Sequence, residues 1–256
     1  MDFTSIAPVT FIFLFFAGFF AGFVDSIAGG GGLIALPSIM LAGLPPQLAL
    51  GTNKLQGTFG TFSALYNYIK NKKASLKDSV SGIVFTFTGA FFGSYLVQKT
   101  NASIIEPLIP VLLLIIFIYT LFSKNLHLED SRPKLNKKLF YVIFGLMLGF
   151  YDGFFGPGTG SLWTAAFMFF LGFNMTKATG HTKIMNFSSN IISLIAFAAG
   201  DNICYSIGLT MAAGQIIGAR LGSGMAIKRG TKFIRPIFLT IVLCTIVRFL
   251  YLNFKF

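Results

Sequence analysis

Charge is what this chain lacks most. Charged residues make up 11% of its 256 residues, against about 25% in a typical soluble domain. Acids are the scarcer sign, with eight Asp and Glu against twenty Lys and Arg and a formal net charge of +12. A soluble fold would have too few polar side chains to cover its surface. Cysteine is almost absent. Cys204 and Cys244 both sit in apolar stretches, which excludes a disulfide scaffold. Histidine is limited to His127 and His181, so no Cys/His cluster has metal-ligand spacing. No metal and no other cofactor is expected. A His box and a nucleophile elbow are also missing, which argues against a membrane-embedded enzyme. The N-terminus has no basic n-region, and its apolar run is longer than a signal core, so it reads as a retained first membrane segment.

Apolar residues are abundant, at 54% with 32 Phe, and this excludes disorder. The expected fold class is therefore all-α, a polytopic transmembrane helical bundle with about 8–10 membrane helices, because a helix hides its own backbone polar groups in lipid. The apolar segments are Pro8–Val24, a short Leu33–Ala42, Leu48–Ile69, Ser79–Val97 and Pro107–Phe122. After a polar loop come Leu139–Phe155, a short Ser161–Phe173, Ala178–Ala199, Ile203–Ile227 and Pro236–Leu252. The short ones, Leu33–Ala42 and Ser161–Phe173, either cross thinly or end inside the membrane.

The positive charge does not point to nucleic acid. Thirteen of the twenty basic residues fall in three loops: Lys70, Lys72, Lys73 and Lys77; Lys124, Arg132, Lys134, Lys137 and Lys138; and Lys228, Arg229, Lys232 and Arg235. Lys and Arg collect in this way on the cytoplasmic side of a membrane. The three loops share one side only if each half makes an odd number of crossings. Both termini then lie outside, and the second half is inverted relative to the first. Lys255 is a mild counter-signal.

Inverted halves should resemble each other, and they do. Gly22, Phe23, Asp25, Gly29 and Gly31 recur as Gly149, Phe150, Asp152, Gly156 and Gly158, at a spacing of 127. Gly51-Thr52-Asn53-Lys54 aligns with Gly180-His181-Thr182-Lys183 at a spacing of 129. Gly89 and Gly93 are paired with Gly214 and Gly218 at a spacing of 125, which sets Arg220 opposite Tyr95. The expected organisation is one transporter domain over 1–256, with repeat 1 at 1–123, a cytoplasmic linker at 124–138 and repeat 2 at 139–256. Repeats of opposite topology place a substrate site near the midplane, where Gly/Pro-interrupted helices of the two halves meet. Ser26–Gly32 and Gly153–Gly160 are that pair of interruptions.

The segment AGFVDSIAGGGGLIALPSIMLAGLPPQLALGTNKLQGT resembles the N-terminal signature of the TauE/SafE family of sulfite exporters, also called TSUP. GFYDGFFGPGTGSLWTAAFMFFLGFNMTKATGHTKIMNFSSN resembles its second copy. The resemblance covers nearly the whole chain. It implies a bacterial or archaeal multi-pass inner-membrane permease for sulfite, another small sulfur oxyanion, an organosulfonate or a small organic anion. The second copy departs from the first, with His181-Thr182 in place of Thr52-Asn53.

Lys54 and Lys183 are the leading candidates for substrate contact. A Lys at the bilayer centre costs about 2.5–3.5 kcal/mol. Lys54 is six residues past Leu48, roughly 9 Å into its helix. Either the two lysines attract and balance an anion, or they snorkel to the interface. Gly29, Gly30 and Gly31, with Gly156 and Gly158, suit either a backbone nest for an oxyanion at a helix N-terminus or a tight helix contact. Helices are expected to start just after, at Leu33 and Ser161. Asp25 and Asp152 read as helix-end caps, as partners of the lysines, or as carriers of a coupling proton. Thr52, Asn53, Gln56, His181, Thr182, Asn186 and Asn190 offer donors around the lysines. Arg220 reads as a further cation on the path or as a partner of Asp152. Trp163 needs only a packing or lipid-facing role. The expected partners are a small anion and the lipid bilayer. A selective anion channel is the rival reading, and the oligomeric state stays open, a homodimer included.

Overall fold

A computed structural model describes residues 8–105 and 130–229. The expected segments Pro107–Phe122 and Pro236–Leu252 lie outside the described residues, as do His127, Lys124, Lys232, Arg235, Cys244 and Lys255. Among the described residues the chain is helical, without a strand. Helix α1 spans Pro8–Ala28, α2 Gly32–Leu41, α3 Pro46–Lys70 and α4 Val80–Lys99, the last after a 3₁₀ turn at Lys77–Ser79. The second half repeats this order as α5 Lys137–Phe154, α6 Thr159–Leu171, α7 Met175–Ala199 and α8 Tyr205–Arg229.

Local chemistry sets these boundaries. Pro46 opens α3 at the position where a missing N–H costs nothing. Asn136 caps α5 by accepting from the Lys138 N–H at 2.8 Å, and Asn174 caps α7 by accepting from the Lys177 N–H at 3.1 Å. Gly172 closes α6 in the left-handed conformation. Two described spans, Pro8–Ala28 and Lys77–Lys99, are both long and apolar enough to cross a bilayer by composition alone. Helices α3, α7 and α8 have 25 residues each, about 37 Å of rise, which exceeds a hydrocarbon core of about 30 Å. They fall short on hydropathy because they carry the polar residues described below.

The molecule is polar inside and apolar outside. Phe16 and Phe20 of α1, Phe91 and Phe92 of α4, Met147 of α5 and Leu221 of α8 are exposed. Lys54, Gln56, Asp152, Lys183, Asn186 and Gln215 are buried. In water this distribution would be unstable. In lipid it is the expected one, since exposed apolar side chains replace solvent contacts and the polar groups satisfy each other inside.

The halves exchange partners. The two most extensive helix pairs are α1 with α8 and α4 with α5, so the first helix of each half packs on the fourth helix of the other. Glycines bring the backbones together. A Cβ on Gly89 would collide with the Leu146 carbonyl and reach the Phe150 nitrogen at 2.8 Å. A Cβ on Gly218 would collide with the Phe19 carbonyl and reach the Phe23 nitrogen at 2.9 Å. Leu146 and Phe150 stand 127 residues after Phe19 and Phe23, so Gly89 corresponds to Gly218 and not to Gly214. The third sequence block is thereby corrected. Gly89-Ala90-x-x-Gly93-Ser94 matches Gly218-Ala219-x-x-Gly222-Ser223 at a spacing of 129. Three glycines in a row at four-residue intervals, at 214, 218 and 222, hid this register. The counterpart of Arg220 is then Phe91, and Arg220 itself lies exposed on α8.

Candidate functional site

The two buried lysines meet the two buried acids crosswise. Lys54 of α3 forms an ion pair with Asp152 of α5, Nζ to Oδ1 at 2.7 Å, and also donates to the Asp152 backbone carbonyl. Lys183 of α7 pairs with Asp25 of α1, Nζ to Oδ2 at 2.7 Å, and also donates to the Asp25 carbonyl. Each lysine thus reaches the last turn of the first helix in the other half. That turn ends a helix, where unpaired carbonyls and the negative end of the helix dipole favour a cation. The Lys54 and Lys183 side chains are 2% and 0% exposed, which rules out snorkelling to the interface. Neither lysine is an isolated positive charge. Two cations face two carboxylates, so this set is neutral as it stands.

The pairs are not equivalent. Asp152 is saturated: Oδ1 takes Lys54, and Oδ2 accepts a short hydrogen bond from Ser189 Oγ. Asp25 is looser. Its Oδ2 takes Lys183, while Oδ1 has only the Gly31 N–H, at 3.3 Å. Its side chain is 16% exposed, against 6% for Asp152.

Between the pairs lies a cavity of about 40 Å³, room for one or two water molecules. Asp25, Lys54 and Asp152 line it, together with the amides of Asn53, Gln56, Asn186, Asn190 and Gln215. The two helix breaks line it as well. Helix α1 runs on to Ala28, so the first break is only Gly29–Gly31, and the second is 155–158. Gly29 and Gly156, matched positions in the two halves, both have left-handed backbone, with φ of 78° and 97°. This conformation explains why glycine stands at both. Each break touches the start of the other half's short helix: a Cβ on Gly29 would lie 2.5 Å from the Gly160 Cα of α6, and one on Gly32 of α2 would lie 2.9 Å from the Pro157 Cα. Gly32 at the start of α2, and Thr159 and Gly160 at the start of α6, border the cavity. The half-helices begin one and two residues before the expected Leu33 and Ser161. Two helix N-termini therefore meet at one polar cavity and aim the positive ends of their dipoles at it. Most of their first-turn N–H groups bond carbonyls of the breaks: Leu33 to Gly30, Ile34 and Ala35 to Gly31, Thr159 to Gly156, and Ser161 and Leu162 to Gly158.

Three amide oxygens at this cavity, Gln56 Oε1, Asn186 Oδ1 and Gln215 Oε1, are buried without a hydrogen-bond partner among the described residues. Buried polar atoms are normally satisfied. As acceptors these three call for a donor such as water in the cavity.

The cavity gathers most of the expected site residues: Asp25, Asp152, Lys54, Asn53, Gln56, Asn186, Asn190, Gly29, Gly156 and Gly158. Lys183 reaches it through Asp25. Five others do not line it. The Thr52 hydroxyl accepts from the Cys204 N–H at 2.9 Å, and His181 Nδ1 is 3.0 Å from Ser79 Oγ. Cys204 and Ser79 immediately precede α8 and α4, so Thr52 and His181 do the same job in opposite halves: each ties down the start of the other half's fourth helix. Thr182 bonds Thr164 at 3.1 Å. The Gly30 carbonyl accepts from the Leu33 N–H at 3.0 Å, and Gly31 serves Asp25 through its N–H. Arg220 is not the partner of Asp152, since Lys54 takes that place. Trp163 is fully buried against Phe140 and Phe167. Sequence reading missed Gln215 and Ser189. Gln215 was visible as a lone amide between Gly214 and Gly218, inside an otherwise apolar run.

A second cavity, about 580 Å³, opens beside the 3₁₀ turn. Lys72, Lys73, Lys77, Lys177 and His181 line it, with Asp78 as its acid. At its edge Asp130 accepts from Lys177 Nζ at 2.9 Å and from the Asn174 N–H at 2.7 Å. The Lys177 hydrogen bond holds the Asp130 carboxyl below the usual range. This is one of the three basic loops seen in the sequence, folded around a solvent-sized opening.

Comparison with known proteins agrees with this architecture. The family model for the sulfite exporter TauE/SafE matches residues 14–249. A probable membrane transporter protein of Haemophilus influenzae is 44% identical over 223 residues, covering 87% of this chain and 88% of its own. The probable membrane transporter protein YfcA of Escherichia coli K12 is 42% identical over 231 residues, covering 90% and 86%. The probable membrane transporter protein ORF9 of a Sinorhizobium species is 38% identical, covering 93% and 91%. No solved structure matches. With a family match over nearly its whole length, and with buried charge enclosed by an apolar exterior, the chain belongs to the TauE/SafE sulfite exporter family and is a membrane transporter, not an enzyme.

Proposed function

We propose that the chain is a multi-pass inner-membrane permease that moves a small anion by alternating access. Sulfite, a related sulfur oxyanion or an organosulfonate is the leading substrate class. The observation that carries this reading is the meeting of two half-helix N-termini, from opposite halves, at one cavity lined by a lysine and five amides. Helix N-termini and amide N–H groups suit the lone pairs of an oxyanion. The crossing of partners between the halves supports inverted repeats that rock against each other around the shared site. The small cavity volume supports a closed state of such a cycle over an open pore. The basic opening beside Lys72, Lys73 and Lys77 is read as cytoplasmic, where it raises the local concentration of anions. Both termini then lie outside.

The test is uptake of radiolabelled sulfite, thiosulfate, sulfate and organosulfonates into proteoliposomes holding the purified protein. Saturable uptake of one class, competed by its unlabelled form, is the expected result. Uptake equal to that of protein-free liposomes for every anion would exclude the reading.

A further inference from the structure

We infer that the protein carries a proton together with its anion, and that Asp25 is the carrier. The inference rests on the anion reading above. Lys54 and Lys183 are already neutralised by Asp152 and Asp25, with Nζ–Oδ distances of 2.7 Å in both pairs. An anion entering this cavity alone would add an uncompensated negative charge to a buried site, which desolvation makes strongly unfavourable. A proton taken up with the anion removes that cost for a monoanion such as an organosulfonate, and halves the added charge for a dianion such as thiosulfate. The proton adds to an Asp25 carboxylate oxygen, the ion pair with Lys183 loses its negative member, and the positive charge of the Lys183 ammonium, behind Asp25 at the cavity wall, then offsets the anion. The lysine stays protonated throughout. When the anion leaves on the far side, the O–H bond breaks, the proton returns to water and the ion pair closes again.

Asp25 fits this role and Asp152 does not. Both oxygens of Asp152 are engaged at short range, by Lys54 and by Ser189. Oδ1 of Asp25 has, among the described residues, only a 3.3 Å contact with the Gly31 N–H, and Asp25 lines the cavity. Among the described residues the titratable groups around Asp25 are few. Lys183 faces it from α7, and Tyr68 from α3, with its hydroxyl committed to the Ser26 carbonyl at 2.9 Å. The Lys54–Asp152 pair lies across the cavity. Helix α8 presents the neutral Gln215, and α6 has no charged residue. The unpartnered oxygens of Gln56, Asn186 and Gln215 are acceptors that a protonated carboxyl, or water beside it, can satisfy.

Thiosulfate, which does not titrate near neutral pH, is the suitable probe. Proteoliposomes are loaded with a pH-sensitive dye, and labelled thiosulfate and dye are followed together. Wild type is expected to acidify the lumen as thiosulfate enters, and to accumulate it when the outside is made acidic. Any thiosulfate that Asp25→Asn still carries should enter without the dye signal, and Asp25→Glu should retain the signal. Wild-type uptake without acidification would overturn the inference while leaving the anion reading intact. Undiminished acidification by Asp25→Asn would overturn the assignment to Asp25 whether or not Asp25→Glu folds. A wild type that carries none of the anions in the panel overturns the anion reading and the proton inference with it.

Discussion

At the scale of single residues, the informative signal was repetition. Lys54 and Lys183, and Asp25 and Asp152, were singled out because they recur at matched places in both halves. Their partners were not legible. Each lysine binds the acid of the opposite half, and a one-dimensional pattern does not say which half's helix end a side chain reaches. The same limit applied to Thr52 and His181, which look like site residues by position yet anchor α8 and α4. The crossed pairs also predict how stability and transport separate. Lys54→Met leaves Asp152 buried with Ser189 as its remaining side-chain donor, and should cost about 3–5 kcal/mol. Adding Asp152→Leu removes the stranded charge and should restore most of that loss. Neither variant should transport, because the cavity has lost the lysine that lines it. Thermal unfolding in detergent, read beside labelled-anion uptake, checks this. A double variant no more stable than Lys54→Met would show that the pair is not coupled as the geometry requires.

At the scale of elements, apolar length and Gly/Pro punctuation located the helices to within a few residues, including both short ones. Register was harder. Helix α8 carries glycines at 214, 218 and 222, so two pairings with Gly89 and Gly93 fit the motif equally well. The backbones they touch decide, and those contacts select Gly218 and Gly222, the pairing that also matches Ala90 with Ala219 and Ser94 with Ser223. The α4–α5 crossing makes the energetic consequence testable. A Cβ on Gly93 would collide with the Phe150 carbonyl and reach the Phe154 nitrogen at 2.8 Å, and backbone atoms cannot yield as a flexible side chain can. Gly93→Ala should therefore destabilise by about 1–3 kcal/mol through overpacking. Gly224→Ala is the control, since its nearest contact, Asn67 Nδ2, lies at 3.8 Å. It should be neutral, or gain up to about 1 kcal/mol from helix propensity. Equal unfolding temperatures for Gly93→Ala and wild type would contradict the close crossing.

At the scale of the whole molecule, the scarcity of charge already described an object turned inside out. The structure accounts for it: the exterior is Phe-rich, and the interior holds a neutral constellation of two lysines and two acids. The surplus of positive charge belongs to the loops, and it fixes how the molecule should sit in the membrane. Helix α4 offers a clean test, because it has 20 residues, about 30 Å of rise, with Lys77 exposed at one end and Asn101 at the other. If Lys and Arg mark the cytoplasmic face, a cysteine at Lys77 faces the cytoplasm and one at Asn101 faces out. In a background with Cys204 and Cys244 replaced by Ser, Asn101→Cys should react with a membrane-impermeant maleimide on intact cells. Lys77→Cys should react only in inverted vesicles. The reverse pattern would turn the whole bundle over and place the basic cavity outside. Labelling of both cysteines from one side would mean that α4 does not span, which its exposed Val84, Phe87, Phe91 and Leu96 make energetically untenable in water.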